Sequence, residues 1–592
     1  MILNKFYMGE SFDAYEYFGA HLEVEGAVFR TYAPNAYKIS IIGEFNNWQE
    51  QPMEQLDRSG VWTGFSRDAK PGQMYKYVIY GQNGRQEHCD PYGFGMELRP
   101  GACSIIRELG EYRFSDEVWM TERTRCFDKP LNIYELHLGS WKMKDRDWHR
   151  YDEIADELIA YLKKHFYTHV EFLPLSEHPF DGSWGYQNTG FFAPTSRYGT
   201  AAQLMELIDK LHRAGIGAIM DFVPVHFAVD FYGLKEYDGT ALYEYPHGDV
   251  GTSEWGSCNF IHSRGEVRSF LQSAANYWLK EFHFDGLRMD AVSRLIYWQG
   301  DEKRGENGCA INFLKAMNKG LHALHPTAML IAEDSTAYPG VTRASENGGL
   351  GFDYKWDLGW MHDTLKYLEC HPYDRAYMPD KITFSIYYTY NERYILPLSH
   401  DEVVHGKKTI IDKLYGSYED KFKQARLLYL YMMTHPGKKL NFMGNEFAMF
   451  REWDEHREPD WDLLEYPSHG SFHEYMIKLN RIYQENDALW ALDHAYDGFK
   501  WVDCGCENKC VFGYTRTNGK DTILTLLNFS DRESVIALQM GKKVTLLLNT
   551  DWKEYDGTTE RVLWGTAERR IPPYSGSLYR IENDCGSAGE MK

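Results

Sequence analysis

Basic residues, cysteine and long apolar runs are all scarce in this chain of 592 residues. Lysine and arginine number 64 against 86 acidic residues, which gives a net charge of −22. A chain this acidic repels phosphate backbones, so no nucleic-acid partner is expected. No stretch reaches the ~20 apolar residues of a membrane span, so no membrane contact is expected either.

The ten cysteines are scattered along the chain, which is typical of reduced thiols in a cytosolic protein. Cys504, Cys506 and Cys510 form one close group, but it lacks a fourth ligand and a familiar spacing. A chance cluster is therefore favoured over a metal site. The first 17 residues carry charges and no apolar core of signal-peptide length, which predicts a cytoplasmic location.

Aromatic residues are abundant, at 16% of the chain. The apolar C–H faces of sugar rings lie well on aromatic rings, so this excess suits a carbohydrate-binding protein, although a large core would explain it equally. At ~150 residues per domain, the length predicts two to four domains.

Short β-rich runs at both ends flank a long central region. The first set predicts an N-terminal β-sandwich over 1–112, from runs at 27–32, 38–42, 61–65 and 74–80. Asn518 and Gly519 are a strong hairpin signal. With the β-rich runs that follow, they predict a C-terminal β-sandwich over 489–592, whose last ten residues are expected to be disordered.

Helix and strand signals alternate between the two sandwiches, over 113–488. Strands are predicted near residues 131, 169, 218, 286, 329, 354, 394 and 439. Two of the helices carry capping-box spacing, at residues 200–203 and 263–266. This alternation indicates a parallel sheet, and eight strands close most naturally into a (β/α)8 TIM barrel. A doubly wound open sheet is the alternative, but the Gly-rich phosphate loop typical of it is missing from the sequence.

Ionisable residues follow four of the predicted barrel strands. They are Asp221 with His226, Asp290, Glu333, and His400 with Asp401. Active residues of such barrels lie at the carboxyl ends of the strands, so these residues form the candidate site.

The pair Arg288 and Asp290 indicates a mechanism. Strand side chains repeat every two residues, so these two point the same way, and a guanidinium favours the ionised carboxylate. Asp290 is therefore the predicted nucleophile. Glu333 has no arginine in its own segment and is predicted to hold a proton as the acid. Two such carboxylates about 5–5.5 Å apart suit retaining glycosidic cleavage. A purely structural ion pair is the alternative for Arg288 and Asp290.

Four segments resemble the signature segments of the α-amylase family of glycoside hydrolases and transglycosylases. They are DFVPVH at 221–226, GLRMD at 286–290, AED at 332–334 and LSHD at 398–401. Within this family the chain is similar to the branching transglycosylases, by YELHLGSW at 134–141, WGYQ at 184–187, HDEVVHGKK at 400–408 and MGNEF at 443–447.

The resemblance implies that Asp290 is the nucleophile, Glu333 the acid/base and Asp401 a third acid that binds the sugar. It implies substrate binding by Tyr186, Asp221, His226, Arg288 and His400. The implied reaction breaks an α-1,4 bond with retention and transfers the glucan to a 6-hydroxyl, forming α-1,6 branches in glycogen. The implied partners are glycogen, amylose and amylopectin, with no cofactor. A hydrolase or debranching enzyme of the same fold, and a glucan-binding scaffold without catalysis, remain alternatives.

Val225 bears on metal binding. Many calcium-binding members of the family place an asparagine ligand at this position, and valine offers only its backbone oxygen. The sequence therefore predicts no obligatory metal. For the oligomeric state, a monomer is the working expectation.

Aromatic residues outside the signature segments are weaker candidates. The loop over 232–260, which contains Trp255, is expected either to form glucan subsites or to be a packed flap. In the first module, Trp48, Trp62 and Tyr77 with its neighbour Lys76 are candidate glucan contacts, although a tryptophan in a small sandwich more often belongs to the core.

Overall fold

The computed structural model describes residues 2–56, 59–537, 544–561 and 568–581. The tail expected to be disordered lies outside the described residues. The chain divides into two compact units. The first comprises Met1–Arg125, His137–Ile159 and Glu171–Asp353, and the second comprises Cys126–Leu136, Ala160–Val170 and Tyr354–Lys592.

Eight parallel strands form a closed barrel, which confirms the predicted fold class. We number them β1 Asn132–Leu136, β2 His169–Phe172, β3 Gly217–Phe222, β4 Gly286–Met289, β5 Met329–Ala332, β6 Tyr354–Trp356, β7 Tyr394–Leu398 and β8 Lys438–Phe442. Every residue of these strands is buried, as expected for parallel strands covered on both faces.

Helices alternate with the barrel strands, as the apolar periodicity predicted. The longer ones are Tyr151–Lys164, Ala201–Arg213, Gly265–Glu281, Gly308–Leu324, Leu358–Glu369, Tyr418–Thr434 and Pro467–Glu485. The shorter ones are Ile2–Met8, Glu117–Glu122, Leu138–Trp141, Gly248–Gly251, Ser293–Ile296, Pro372–Arg375, Asp380–Thr383, Ser385–Tyr388 and Ile410–Lys413.

One of the two predicted capping boxes forms. Thr200 and Gln203 exchange both capping hydrogen bonds at the start of Ala201–Arg213. The box predicted over 263–266 is wrong, because the helix begins at Gly265 and its cap residue, Arg264, makes no side-chain capping bond. Glu266, which would have closed this box, instead accepts a hydrogen bond from the Tyr32 hydroxyl at 2.9 Å.

Two antiparallel sheets form the N-terminal part of the first unit, as predicted. One sheet holds Gly19–Glu23, Gly26–Tyr32, Val61–Ser66 and Glu54–Leu56. The other holds Gln51–Pro52, Lys38–Gly43, Met74–Gly81, Gly84–His88 and Ser104–Ile105, the last of which also pairs with Met74–Gly81. The sheets pack face to face, since the buried rings of Phe29 and Tyr75 lie 5.0 Å apart.

Antiparallel sheets also form the C-terminal part of the second unit. The larger holds Phe499–Trp501, Val511–Thr517, Thr522–Asn528, Ser575–Ile581 and Val544–Asn549, and the smaller pairs Ser534–Ala537 with Glu568–Ile571. Leu524, Leu526 and Ile536 lie in the core between them. The predicted boundaries at residues 112 and 488 stay predictions.

No helix in the described part of the chain has the length and hydropathy that crossing a membrane would need. The nine described cysteines are all free thiols.

Candidate active site

Asp221 and Arg288 form a buried ion pair at the carboxyl ends of β3 and β4. Asp221 and Arg288 are paired in register on these neighbouring strands, and both side chains are fully buried. Arg288 Nη1 donates to Asp221 Oδ2 at 2.8 Å. The Tyr186 hydroxyl also donates to Asp221, and it lies 3.2 Å from Arg288 Nη1. Asp221 is thereby a fixed anchor for the guanidinium.

Arg288 brings the two predicted catalytic carboxylates together. Its Nη1 lies 3.3 Å from Asp290 Oδ1, and its Nη2 lies 3.0 Å from Glu333 Oε2. The two carboxylates retain 13% and 17% side-chain exposure, so a solute can reach them, whereas Arg288 is inaccessible. Glu333 has no arginine in its own segment, but it shares the guanidinium of Arg288 from the neighbouring strand, so it does not lack a cationic partner.

A strained turn supplies Glu333 with a second donor. Ala291 follows Asp290 with a φ of +46°, a conformation uncommon for a residue with a side chain. Its backbone N–H donates to Glu333 Oε2 at 2.8 Å. Such outliers cluster at functional sites, where the surrounding structure holds them.

The acidic neighbours of Arg288 stabilise its positive charge. Burial is the largest influence and opposes the charge, but Asp221, then Tyr186, Glu333 and Asp290, together raise the pKa of Arg288 well above its ordinary value. A buried arginine with this many acidic neighbours remains a cation across the whole working pH range.

His226 is a neutral neighbour of Asp290. Its Nε2 lies 3.9 Å from Asp290 Oδ2. Burial first, and then the positive charge of Arg294, lower the pKa of His226 to about 3. The contact is therefore that of a neutral imidazole beside a carboxylate and not a salt bridge at neutral pH.

The long loop after β3 is packed at most of its aromatic residues, with one exception near the site. Tyr237, Tyr243 and Phe260 are buried, whereas Trp255 is 49% exposed. The Trp255 ring lies 5.3 Å from the His226 ring, and the Arg294 guanidinium lies 4.5 Å from its centroid. The loop is thus packed at Tyr237, Tyr243 and Phe260 and exposes one aromatic ring near Asp290. Its role in forming glucan subsites stays a prediction.

In the second unit, His400 and Asp401 follow the carboxyl end of β7. His400 is buried, and its Nε2 lies 3.5 Å from Asp401 Oδ1. The Asp401 side chain is 47% exposed. Glu135, to which the sequence analysis gave no role, holds His400 by two contacts. The only signal for it was its place in the run YELHLGSW.

The candidate contacts of the first module separate into buried and exposed residues. Trp62 is buried and donates through its ring N–H to the Ala33 carbonyl oxygen at 3.1 Å. Tyr77 is fully buried and donates to Asp90 at 3.0 Å. Both belong to the core, which was the favoured alternative for a tryptophan in a small sandwich, so they are not glucan contacts. Trp48 is 41% exposed and stays a candidate.

Metal ligands are not grouped in the described part of the chain, where no set of three histidine, cysteine or acidic side chains is arranged to hold an ion. Cys504 and Cys510 are buried, and Cys504 packs with the apolar residues of the C-terminal core.

Comparison with known proteins first defines the class. Residues 17–93 match the family of carbohydrate-binding module 48, described as the isoamylase N-terminal domain. A candidate α-amylase of Salmonella typhimurium has a similar structure, with a TM-score of 0.74 and 17% identity over 95% of this chain and 99% of its own. The chain therefore has the α-amylase type of fold, a TIM barrel preceded by a carbohydrate-binding module.

Two relatives narrow this class to one family. The chain is 44% identical to the 1,4-alpha-glucan branching enzyme GlgB of Fusobacterium nucleatum, over 93% of this chain and 92% of the relative. It is 42% identical to the enzyme of the same name from Bacillus caldolyticus, over 97% and 89%. The chain belongs to the 1,4-alpha-glucan branching enzyme family.

Proposed function

We propose that this chain cleaves an α-1,4 bond of a glucan with retention and transfers the released chain to a 6-hydroxyl, which makes an α-1,6 branch. The observation that carries the proposal is the pair of accessible carboxylates, Asp290 and Glu333, on one buried guanidinium. Retaining cleavage of a glycosidic bond needs two carboxyl groups at close range, one as nucleophile and one as acid.

The roles of the two carboxylates follow from their remaining contacts. Glu333 uses Oε2 for the Ala291 N–H and for Arg288, which leaves Oε1 to carry the proton. Asp290 is flanked by the Arg288 cation and by neutral His226, so its negative charge is compensated and its second oxygen faces a small uncharged ring. We therefore assign Glu333 as acid/base and Asp290 as nucleophile.

The reaction then runs in two displacements. Asp290 attacks the anomeric carbon, the bond to the leaving chain breaks, and Glu333 gives its proton to the leaving 4-oxygen. The donor chain is now an ester of Asp290. Glu333, ionised, takes the proton of an acceptor 6-hydroxyl, whose oxygen attacks the same carbon and releases Asp290. Two inversions preserve the α configuration.

Other side chains are proposed to bind the glucan. His226 and Tyr186 lie beside Asp290 and Arg288 in the first unit, and we assign these two to the sugar at the reacting bond. Arg288 and Asp221 are fully buried, so we assign them to act through the groups they hold and not by touching the sugar. We assign Asp401 and His400 of the second unit to substrate hydroxyls as well. An accessible carboxylate beside a buried imidazole supplies the acceptors and donors that a sugar needs.

Trp255 is proposed as the platform for a neighbouring sugar ring. Half of its surface is open, yet its indole is fixed between the Arg294 guanidinium and the His226 ring. The Gln187 side chain further holds the Trp255 carbonyl oxygen, at 3.3 Å. A preordered aromatic face loses little conformational freedom when an apolar sugar face covers it.

The polymers acted on are proposed to be glycogen, amylose and amylopectin, with Trp48 as a candidate contact in the carbohydrate-binding module. A reducing, cytoplasmic compartment suits the nine free cysteines of the described chain.

The test compares two products of incubation with amylose. Transfer breaks one bond and makes one, so α-1,6 linkages should accumulate while reducing ends stay nearly constant. A steady rise in reducing ends without branches would instead indicate a hydrolase. Asp290→Asn should abolish the formation of α-1,6 linkages while the protein stays folded, and unchanged activity in this variant would exclude catalysis at this site.

A further inference from the structure

The contact between Glu135 and His400 lies outside the roles assigned so far. Glu135 belongs to β1 and its side chain is fully buried. Its Oε1 lies 2.6 Å from His400 Nδ1, and its Oε2 accepts the backbone N–H of His400 at 2.9 Å. One carboxylate thus holds both the ring and the backbone of a residue 265 positions away.

The chemistry of these contacts fixes the proton on the ring. A backbone N–H can only donate, so Oε2 is an acceptor. An ionised carboxylate has no proton to give, so Oε1 accepts as well and His400 Nδ1 must carry the hydrogen. The second contact on the backbone prevents the carboxylate from turning away. Glu135 therefore selects the tautomer, and Nε2 becomes the nitrogen that meets other groups.

Packing around the ring supports the same orientation. The rings of Phe442 and Trp453 lie 6.0 Å and 6.4 Å from the His400 ring, and the histidine is almost fully buried. Asp401 Oδ1, at 3.5 Å, lies on the Nε2 side. The Nδ1 side of the His400 ring therefore faces the protein interior, and its Nε2 side faces the exposed carboxylate of Asp401.

We propose that Glu135 is a positioning residue of the transfer reaction, which holds His400 in the Nδ1–H tautomer so that Nε2 meets a hydroxyl of the glucan. This inference rests on the proposed function in one respect, the assignment of His400 to substrate binding. Glu135 itself acts through His400 and touches no sugar. Partners of this kind set the tautomer and the orientation of functional histidines.

Glu135→Gln is the informative substitution because it keeps the size of the side chain and replaces one acceptor oxygen by an NH2 donor. The Gln oxygen is needed by the backbone N–H, so its NH2 group faces Nδ1 and makes that nitrogen an acceptor. The proton of a neutral ring then moves to Nε2. We expect kcat/KM on amylose to fall by roughly ten- to a hundredfold, as for other supporting partners of functional histidines.

Glu446→Gln is the matched control. Glu446 is an equally buried acid of the second unit, and it accepts hydrogen bonds from the Tyr134 and Tyr161 hydroxyls at 2.8 and 2.6 Å. Its substitution should change stability about as much as that of Glu135 while kcat/KM changes only a fewfold. Equal losses of kcat/KM in both variants would show that Glu135 has only a structural role.

A double-mutant cycle separates positioning from a direct role. If Glu135 acts through His400, adding Glu135→Gln to His400→Gln should cause no further loss in kcat/KM. Independent losses that multiply would overturn the proposal. Wild-type activity in the His400→Gln variant would instead remove the assignment of His400 to the substrate, a failure of the proposed function.

A measurement on the wild-type protein covers the case in which the variants do not fold. Ring nitrogen-15 shifts, with the His400 signal identified by its loss in His400→Gln, report which nitrogen is protonated. A proton on Nδ1 of His400 supports the proposal, and a ring that is protonated only at Nε2 contradicts it. This result does not depend on whether the protein branches amylose.

Discussion

Replacing Arg288 by lysine tests the shared guanidinium directly. The arginine reaches Asp221 at 2.8 Å, Asp290 at 3.3 Å and Glu333 at 3.0 Å through two separate nitrogens. Lysine has a single ammonium group and cannot reproduce that fork. Because Asp221 is fully buried, we expect the ammonium to remain on it and to leave Asp290 and Glu333 without their cation.

The size of the effect follows from the two lost contacts. One is the hydrogen bond to Asp290 and the other is the ion pair with Glu333. If each contributes the about 1.5–3 kcal/mol of a hydrogen bond to a charged group, the two amount to about 3–6 kcal/mol. At ~1.4 kcal/mol per factor of ten, kcat/KM on amylose should fall by roughly 10²- to 10⁴-fold. The free energy of unfolding should change less than the activity does, because the lysine still pairs with the buried Asp221 carboxylate. Arg288→Met should unfold far more easily, since an unpaired buried carboxylate costs about 3–5 kcal/mol.

The assay measures α-1,6 linkages formed per unit time, with thermal unfolding of each variant alongside. Arg426→Lys is the control, because Arg426 is as deeply buried but donates through Nε to the carbonyl oxygen of Thr550 at 2.7 Å. A folded Arg288→Lys variant within tenfold of the wild-type kcat/KM would refute the reasoning.

Three further predictions follow from single residues. Trp255→Ala should lower kcat/KM on amylose roughly five- to thirtyfold, equivalent to about 1–2 kcal/mol. Trp255→Phe should retain most of the wild-type kcat/KM, because it keeps an aromatic ring. Equal losses in both variants would count against a role of the ring as a platform for the sugar. Dialysis against a chelator should leave activity unchanged, since Val225 offers no side-chain ligand, and loss restored by Ca²⁺ would show the prediction wrong. Because the pKa of His226 is lowered to about 3 in the folded chain and is near 6.5 unfolded, the unfolded chain binds the extra proton between these values. Its contribution to the unfolding free energy is present above pH 6.5 and is lost as the pH falls towards 3. Between pH 6.5 and 4.5, His226→Gln should therefore lose about 2–3 kcal/mol less stability than the wild type, and parallel pH profiles would contradict this.

The barrel could be predicted because its signals are local. Strands such as Met329–Ala332 are short buried apolar runs, and Gly215 follows the end of the helix Ala201–Arg213. The position of a charged residue after a strand also follows from the sequence, so Asp290 and Glu333 were predicted at the right ends of β4 and β5.

Contacts between strands could not be predicted in the same way. The Arg288 side chain spans from β3 to β5, and that reach depends on how the strands lie against one another in the barrel. Glu135 is harder still, because an acid in the middle of an apolar strand gives no sign of a partner 265 residues on. Trp48 and Trp62 show a related limit of sequence patterns: both are tryptophans of the same module, and only the structure separates the exposed one from the buried one.

Trapping the covalent intermediate tests the central claim most directly. In Glu333→Gln, α-maltosyl fluoride can still glycosylate the nucleophile, because fluoride leaves without an acid, whereas release of the ester is slowed. Digestion and mass spectrometry should find the added maltosyl mass on the peptide that contains Asp290, and not in the double variant Glu333→Gln, Asp290→Asn. A maltosyl ester on any other carboxylate, Asp401 included, would contradict the assignment of Asp290 as nucleophile.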